Sequence, residues 1–190
     1  MQLKDLDIPE VKLLTPARHR DNRGFFSEIY SAPEITRLGI RFDFVQENYS
    51  YSAQRHTVRG LHAQSPPFAQ SKLVQVLSGA VMDVAVDLRR GSPWHGKYVM
   101  AELSADNWNQ ILIPAGFAHG FCTLSADVAV IYKVTAPYSA KHDGGVRWDD
   151  EALGIPWPVK ASAAVISDKD RALPLLADYD SPFVYDGKPK

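Results

Sequence analysis

The chain has 190 residues, enough for one domain that buries roughly 70% of its unfolded surface and folds without disulfides or structural metals. Its 21 Lys and Arg residues nearly balance its 22 Asp and Glu residues, so it lacks the strongly basic composition of proteins that bind nucleic acid or anionic membranes. Any anionic ligand must therefore be bound by local arginine and lysine side chains.

The cysteine content and the N-terminus predict an intracellular protein. Cys122 is the only cysteine, so it cannot form a disulfide within the chain, and its neighbours are typical of a buried strand. Charged residues at positions 4, 5 and 7 interrupt the segment where a signal peptide would have its apolar core, and no apolar run is long enough to span a membrane. We therefore expect a soluble, cytoplasmic protein.

The first predicted elements are short. Residues 11–14 favour a strand, and residues 21–24 favour a turn that leads into an aromatic segment over residues 25–30. Arg23, just before two phenylalanines, is a candidate for binding an anion and an aromatic ring, although a turn arginine beside core aromatics is at least as common. A capping box, a proline in the first turn and a later glycine predict a helix over residues 32–38.

The next two predicted strands carry polar candidates. Residues 42–49 alternate as a strand does and place Gln46 and Asn48 on one face, where two amides can read a base or sugar edge or can simply be hydrated. His62, close to a glycine in a β-type segment, is a candidate general base, because an imidazole exchanges protons near neutral pH. A lone histidine on a strand is more often a hydrogen-bonded core or rim residue.

Lys72 opens a strand in which Val74 and Val76 share its face, so its ammonium points where those valines point. If this face lies inside a barrel, the ammonium and the His62 imidazole share one pocket. The alternative is a lysine that reaches solvent or protects a sheet edge.

The middle of the chain predicts further strands. Residues 72–77 and 80–88 flank a Ser-Gly turn and predict a hairpin. In its second strand Asp83 lies among apolar residues and needs a partner, for which His62 is one candidate. Residues 98–103 predict another strand.

Three more candidates follow residue 110. A strand over residues 111–121 is broken by a Pro-x-Gly turn and carries His119. Residues 126–135 place Tyr132 on a face with three valines, where a phenol is either a core residue with a satisfied hydroxyl or an acid in a pocket. Asp170 is either the carboxylate of a Ser-x-x-Asp helix start or a catalytic group.

The many short strands, with Gly and Pro between them, predict an all-β jelly roll or another antiparallel β-sandwich. Such a barrel has a lumen for a small ligand. No internal repeat, low-complexity run or linker divides the chain.

Eight blocks of residues, in order, resemble the dTDP-4-dehydrorhamnose 3,5-epimerase family of cupin-type jelly rolls over nearly the whole chain. Each block alone is a weak signal, but the ordered set is specific. The blocks are residues 21–26 (DNRGFF), 44–48 (FVQEN), 59–62 (RGLH), 72–74 (KLV), 83–87 (DVAVD), 114–121 (PAGFAHGF), 132–135 (YKVT) and 147–150 (RWDD). The resemblance implies a single cupin-type epimerase domain over residues 1–190, all-β with one or two short helices.

The resemblance implies an isomerase that inverts C3 and C5 of dTDP-4-dehydro-6-deoxyglucose and gives dTDP-4-dehydrorhamnose. His62 would remove the proton α to the ketone with Asp170 as its carboxylate partner, and Tyr132 would return a proton from the opposite face of the sugar. Lys72 would stabilise the enolate oxygen, as a fixed ammonium in a dry pocket can. No metal or redox cofactor is implied.

The resemblance also implies which residues bind the dTDP-linked 4-keto-6-deoxyhexose. Tyr138 would stack on the thymine, and arginine's forked guanidinium suits phosphate oxygens. The family is dimeric, and its N-terminal part crosses to the partner, so the first three residues of the set would serve the neighbouring subunit. The set is Arg23, Phe26, Glu28, Gln46, Asn48, Arg59, Lys72, His119, Tyr138, Asp143 and Lys169.

Several alternatives remain open. Tyr49, Ser71 and Asp143 depart from the family's usual residues, so the chain could invert only C3 or only C5 of a dTDP-keto-deoxysugar in a secondary-metabolite pathway. A metal-binding cupin would use His62 and His119, but the sequence after His62 lacks the His-x-His of such sites. A non-catalytic sugar-nucleotide-binding jelly roll would have no use for a base, an ammonium and a phenol together.

Overall fold

Two antiparallel β-sheets pack face to face, because their strands bury alternating apolar residues between them. This computed structural model describes residues 1–187. The strands are β1 (Gln2–Asp5), β2 (Lys12–Thr15), β3 (His19–Asp21), β4 (Gly24–Phe26), β5 (Gln46–Ser52), β6 (Val58–Gln64), β7 (Lys72–Ser78), β8 (Ala80–Asp87), β9 (Tyr98–Ser104), β10 (Gln110–Ile113), β11 (Phe117–Thr123), β12 (Val128–Val134) and β13 (Asp143–Gly145). The α-helices are α1 (Ala32–Arg37) and α2 (Asp168–Arg171), and short 3-10 helices cover Ala161–Ala163 and Leu176–Asp178.

The strand order distinguishes two large sheets, together called the body below, from a small N-terminal hairpin. One sheet has the order β1-β2-β10-β7-β12-β5, and the other has the order β13-β6-β11-β8-β9. Strands β3 and β4 form a separate two-stranded hairpin within residues 16–29, a segment called the arm below. The arm therefore follows β2 of the first sheet and adds a strand to neither sheet.

The core lies between the sheets and continues on both outer faces. Val74 and Ile111 from the first sheet meet Val81 and Phe121 from the second, and all four are buried. The outer face of the second sheet is covered by the C-terminal segment, and that of the first sheet by α1. The predicted all-β jelly roll with one or two short helices is confirmed, although the expected domain end at residue 190 lies outside the described residues.

Within residues 1–187, no helix combines the length and the hydropathy that a bilayer crossing requires.

The predicted hairpin of residues 72–77 and 80–88 is wrong. Strand β7 lies between β10 and β12, whereas β8 lies between β11 and β9 in the opposite sheet. The turn at Gly79, where φ is 73°, carries the chain from one sheet to the other. A glycine turn between two apolar strands gives the same sequence signal in both cases, so the sequence could not distinguish them.

Two element boundaries also differ from the prediction. The strand predicted over residues 42–49 covers Gln46–Ser52 instead. Phe42 and Phe44 pack with the cluster beneath α1, so their alternation reflects packing on the outer face of the sheet rather than strand pairing. The helix ends at Arg37, one residue early, and its first turn lacks the predicted side-chain cap.

A close approach between β13 and β6 fixes the backbone at His62. Gly145 pairs with His62 in the sheet and has a φ of 151°. A Cβ at this position would lie 1.8 Å from the carbonyl oxygen of Leu61. Any other residue would therefore push β6 away from β13.

We expect Gly145→Ala to lower the free energy of unfolding by about 2–6 kcal/mol, because overpacking and a backbone conformation disfavoured for L-residues each cost roughly 1–3 kcal/mol. The matched control is Gly144→Ala, since a Cβ at Gly144 meets no atom within 4 Å. Urea denaturation of both variants measures the difference. Equal midpoints for the two variants would contradict the close approach.

Candidate active site

Two adjoining cavities lie inside the sandwich, and three side chains line both. The first, of about 350 Å³, is lined by β5, β6, β7, β11 and β12 and by residues 165–167 and 170 of the C-terminal segment. The second, of about 250 Å³, is lined by residues of β5, β6, β7 and β12 and by the chain around Tyr138. His62, Lys72 and Tyr132 belong to both cavities. The predicted base, ammonium and phenol therefore face one connected space.

His62 is oriented by a buried carboxylate from the far end of the chain. Its Nε2 lies 2.9 Å from Asp170 Oδ1, and Asp170 Oδ2 accepts a hydrogen bond of 2.9 Å from the backbone N–H of Gly60. Ser167 caps α2 by accepting from the Asp170 N–H, at 3.1 Å. Asp170 thus lies at the helix start that the sequence predicted, and its carboxylate is bonded to His62. With Nε2–H donated to Asp170, the neutral imidazole carries its lone pair on Nδ1.

The environment keeps Asp170 ionised. Burial alone would raise its pKa, but the hydrogen bonds from His62 and from the Gly60 N–H outweigh burial, and the pKa lies below the usual range. The carboxylate is therefore negatively charged at neutral pH, and it can stabilise a positive charge on the imidazole.

Lys72 lies in the cavity wall with its side chain 8% exposed, and its Nζ donates to the carbonyl oxygen of His62 at 3.2 Å. Burial lowers the pKa of Lys72 to about 8, although the carboxylates of Asp143 and Asp83 oppose the shift. At pH 7 the side chain is still mostly an ammonium. A positive charge is thus held beside the predicted base in a buried position.

Asp83 does not contact His62 through a hydrogen bond; its Oδ2 lies 2.9 Å from Nε2 of His119. The open choice between Asp83 and Asp170 as the partner of His62 is therefore decided by the geometry in favour of Asp170. Burial raises the pKa of Asp83 and lowers the pKa of His119, because both groups are enclosed. His119 stands opposite His62 in the β11–β6 register, so this second pair adjoins the first.

Tyr132 reaches the cavities from β12, which pairs with β5 and β7. Its valine neighbours on the same face are buried, as the sequence pattern predicted. Burial raises the pKa of Tyr132, and the positive charge of Arg59 partly offsets the shift. The phenol therefore keeps its proton at neutral pH, which an acid in this position requires.

The second cavity is rimmed by a chain of hydrogen bonds. Gln46 donates to Asn48 at 2.7 Å, and Gln46 Oε1 accepts from the backbone N–H of Tyr138 at 3.1 Å. The Tyr138 hydroxyl donates to Asp143 at 3.1 Å, and Lys169 Nζ lies 2.5 Å from the same carboxylate oxygen. The Tyr138 ring is 57% exposed, so one face is free to stack on a flat ligand.

Arg59 borders the first cavity from β6. Its Nε donates to Ser52 Oγ at 3.1 Å and its Nη2 to the carbonyl oxygen of Tyr51 at 2.9 Å. These bonds hold the guanidinium at the cavity edge, where it can bind phosphate oxygens.

Arg23, Phe26 and Glu28 line neither cavity of their own chain. All three are exposed on the arm, where Phe26 is 71% exposed and Arg23 pairs with Asp21 of the same hairpin at 2.6 Å. Among the predicted binding residues, these three are the ones that the single chain does not bring to the site.

Sequence reasoning missed other cavity residues. Gln64 is buried in the second cavity wall and accepts from the Ser139 N–H at 2.7 Å; its two-residue spacing from His62 was a usable signal. Ser50 follows Asn48 by the same period, and its buried hydroxyl has no hydrogen-bond partner in the described chain. Val165 and Ile166 also line the first cavity and had no sequence signal, whereas the sequence marked Ser167 only as the start of a helix.

Across residues 1–187, no three His, Cys, Asp or Glu side chains come together in an arrangement that could hold a metal ion.

Comparisons with known proteins agree on one family. The family model described as dTDP-4-dehydrorhamnose 3,5-epimerase matches residues 5–178. A Sinorhizobium fredii protein of that name is 52% identical over 185 residues, which are 97% of this chain and 94% of the relative. A Salmonella typhimurium protein of the same name is 46% identical over 170 residues, covering 89% of this chain and 92% of the relative.

Solved structures agree with the sequence comparison. The Bacillus anthracis dTDP-4-dehydrorhamnose 3,5-epimerase, crystallised with TDP and PPi bound, has a TM-score of 0.89 at 50% identity and covers 92% of this chain and 98% of its own. The Legionella pneumophila dTDP-6-deoxy-D-glucose-3,5-epimerase, in complex with dTDP-4-keto-L-rhamnose, has a TM-score of 0.92 at 41% identity and covers 97% and 98%.

The burial of the Lys72 ammonium leads to a prediction about stability that does not depend on the protein's function. Between pH 8 and the ordinary lysine value of 10.5, the unfolded chain binds a proton at Lys72 that the folded chain has lost. This difference raises the free energy of unfolding as the pH rises, so the burial penalty shrinks across that window. We expect Lys72→Met to be more stable than wild type at pH 8, by a margin that falls towards pH 10.5.

Urea denaturation of both proteins over this pH range measures the margin. Lys169→Met is the control: Asp143 raises the pKa of Lys169 through a hydrogen bond, so its proton linkage lies above pH 10.5 and its margin against wild type should stay nearly constant between pH 8 and 10.5. A constant margin between Lys72→Met and wild type would contradict the lowered pKa.

Proposed function

This chain belongs to the dTDP-4-dehydrorhamnose 3,5-epimerase family, and we propose how its cavity residues carry out that chemistry. It is an isomerase that inverts C3 and C5 of dTDP-4-dehydro-6-deoxyglucose to give dTDP-4-dehydrorhamnose. The observation that carries the mechanism is the convergence of His62, Lys72 and Tyr132 on the junction of the two cavities.

The first half of each inversion is proton removal beside the ketone. The C–H bond breaks, the proton passes to the free ring nitrogen of His62, and the electron pair moves to the carbonyl oxygen. The Lys72 ammonium stabilises the charge on that oxygen without solvent reorganisation. Asp170 stabilises the imidazolium that forms, because its carboxylate is already ionised and bonded to Nε2.

The second half is reprotonation from the opposite side. The Tyr132 phenol donates its proton to the enolate carbon, which inverts the centre and returns the ketone. The resulting phenolate and imidazolium exchange protons with solvent before the next step. A positioned acid or base typically contributes roughly 10²- to 10⁴-fold, so the pair accounts for a large part of the acceleration.

The remaining cavity residues bind the nucleotide. We assign the thymine to the exposed face of Tyr138, held by Gln46 and by Asp143. Arg59 in the first cavity wall and Lys169, which reaches the second cavity through its contact with Asp143, provide positive charge for the diphosphate, with Asn48 beside it. His119, in the first cavity wall, contacts the sugar.

The arm residues would complete the site of a second copy. We propose a homodimer in which Arg23, Phe26 and Glu28 reach the partner's nucleotide. Two features support this proposal: the arm is exposed in the single chain, and the edge strand β5 presents exposed Tyr49 and Tyr51. The lone cysteine and the nucleotide-sugar substrate support a cytoplasmic location, and residues 1–190 would form one catalytic domain.

In deuterated water, we expect the wild-type protein to place deuterium at C3 and C5 of the keto sugar nucleotide. His62→Ala should slow this exchange by roughly 10²- to 10⁴-fold, because the base is lost, while dTDP still binds. NMR of the recovered sugar measures the exchange, and calorimetry measures dTDP binding. His95→Ala, an exposed loop histidine, is the control. Unchanged exchange in His62→Ala would exclude His62 as the base.

Asp170→Asn should reduce kcat by roughly 10²- to 10⁴-fold with little change in dTDP affinity. The Gly60 N–H requires an oxygen acceptor, so the new amide would turn its NH₂ group towards His62 and fix the wrong tautomer. Steady-state kinetics and dTDP titration separate the two effects. Asp83→Asn is the comparison, and a larger kcat loss there than in Asp170→Asn would contradict the assignment.

A further inference from the structure

The arm is held to the body by three consecutive residues. Trp108 and Asn109 end the connection between β9 and β10, and Gln110 is the first residue of β10. Asn109 Oδ1 accepts from Thr15 Oγ1 at 2.7 Å, just before the arm, and Gln110 Nε2 donates to the Ile29 carbonyl at 2.8 Å, at its end. Both roots of the arm are thus fixed to the same short segment.

Trp108 contacts the middle of the arm. Its indole Nε1–H donates to Ser27 Oγ at 2.9 Å. Its ring meets the Phe25 ring edge to face, with centroids 5.2 Å apart and planes at 85°. Each contact is directional, so together they define how the arm lies against the body.

Trp108 makes these contacts from a disfavoured backbone conformation, with φ at 62°. A bulky L-residue persists there only when its surroundings enforce it. The enforcing group is Asn107, whose Oδ1 accepts from the N–H groups of Ser104 and Asn109, both at 3.0 Å. The turn is therefore locked from the body side, and the arm docks onto a preformed surface.

Anchoring Phe25 sets the direction of the exposed arm residues. Neighbouring side chains on a strand point to opposite faces, so Phe25 against Trp108 turns Phe26 away from the body. The guanidiniums of Arg18 and Arg20 lie 5.6 and 5.7 Å from the Phe25 ring centroid, which adds cation–π contacts to the anchor. The anchor also sets the position of Arg23, because Arg23 lies in the turn of the same hairpin.

We propose that Trp108 is a positioning residue for nucleotide binding in the partner subunit. Acting through Phe25 and Ser27, it holds the arm in the one orientation in which Phe26 and Arg23 meet the nucleoside diphosphate. This inference rests on the proposed exchange of arms between subunits, and it adds a residue that lines neither cavity.

The test is Trp108→Gly in the full-length protein. Glycine adopts a φ of 62° without strain, so the turn keeps its path while the ring and the indole N–H are lost. We expect KM for the dTDP keto sugar to rise about tenfold while kcat changes less than about twofold, because the arm binds substrate and takes no part in proton transfer. Trp108→Phe keeps an aromatic ring against Phe25, so its KM should lie between those of Trp108→Gly and the wild type.

Asp106→Ala, an exposed residue of the same connection, is the control and should keep the wild-type KM. Partial unfolding alone would lower kcat and leave KM unchanged, so that pattern would overturn the proposal. A wild-type KM in Trp108→Gly would also overturn it.

Mixed dimers distinguish a failure of the Trp108 inference from a failure of the proposed exchange of arms between subunits. In a hybrid of Trp108→Gly and His62→Ala subunits, the intact His62 site receives its arm from the subunit with a normal Trp108, so the wild-type KM should return. A hybrid of Arg23→Ala and His62→Ala subunits tests the exchange itself by the same logic. If the Arg23 hybrid recovers and Trp108→Gly never raised KM, only the Trp108 inference fails. If the Arg23 hybrid does not recover, the exchange fails.

Discussion

The hydrogen bond between His62 and Asp170 is the constraint on which the site depends. It joins residues 108 positions apart and brings the C-terminal segment onto strand β6. One carboxylate fixes the imidazole and also satisfies the Gly60 N–H. The C-terminal segment also lines the first cavity through residues 165–167 and covers the outer face of the second sheet. Residues of this irregular segment are thus part of the candidate site.

The two sheets carry different groups of the proposed mechanism. His62, the proposed base, lies on β6, whereas Lys72 and Tyr132, the proposed ammonium and acid, lie on β7 and β12 of the facing sheet. In this proposal a substrate between the sheets meets the base and the acid from opposite directions, as inversion requires. Sandwich packing itself provides this geometry, because the inner face of each strand is separated from the facing sheet by about 10 Å.

The sequence predicted the features that follow from the two-residue period of a strand. It did not predict those that depend on pairing between distant segments. The two-residue alternation placed Lys72 beside Val74 and Val76 on an inward face and Tyr132 among valines, and the structure has both arrangements. The same alternation could not show that β7 and β8 lie in different sheets. From the residues alone Asp83 was the candidate partner for His62, and family resemblance supplied Asp170, because a separation of 108 positions leaves no local signal.

The lowered pKa of Lys72 has a consequence for inhibitor chemistry. A primary amine with a pKa near 8 is partly unprotonated under mildly alkaline conditions, whereas ordinary surface lysines remain charged. The unprotonated amine is a nucleophile, and here it lines a cavity in which we propose that a keto sugar binds. An aldehyde-bearing nucleotide mimic would therefore meet an amine suited to imine formation, which makes Lys72 the natural target for a reversible covalent probe of this enzyme.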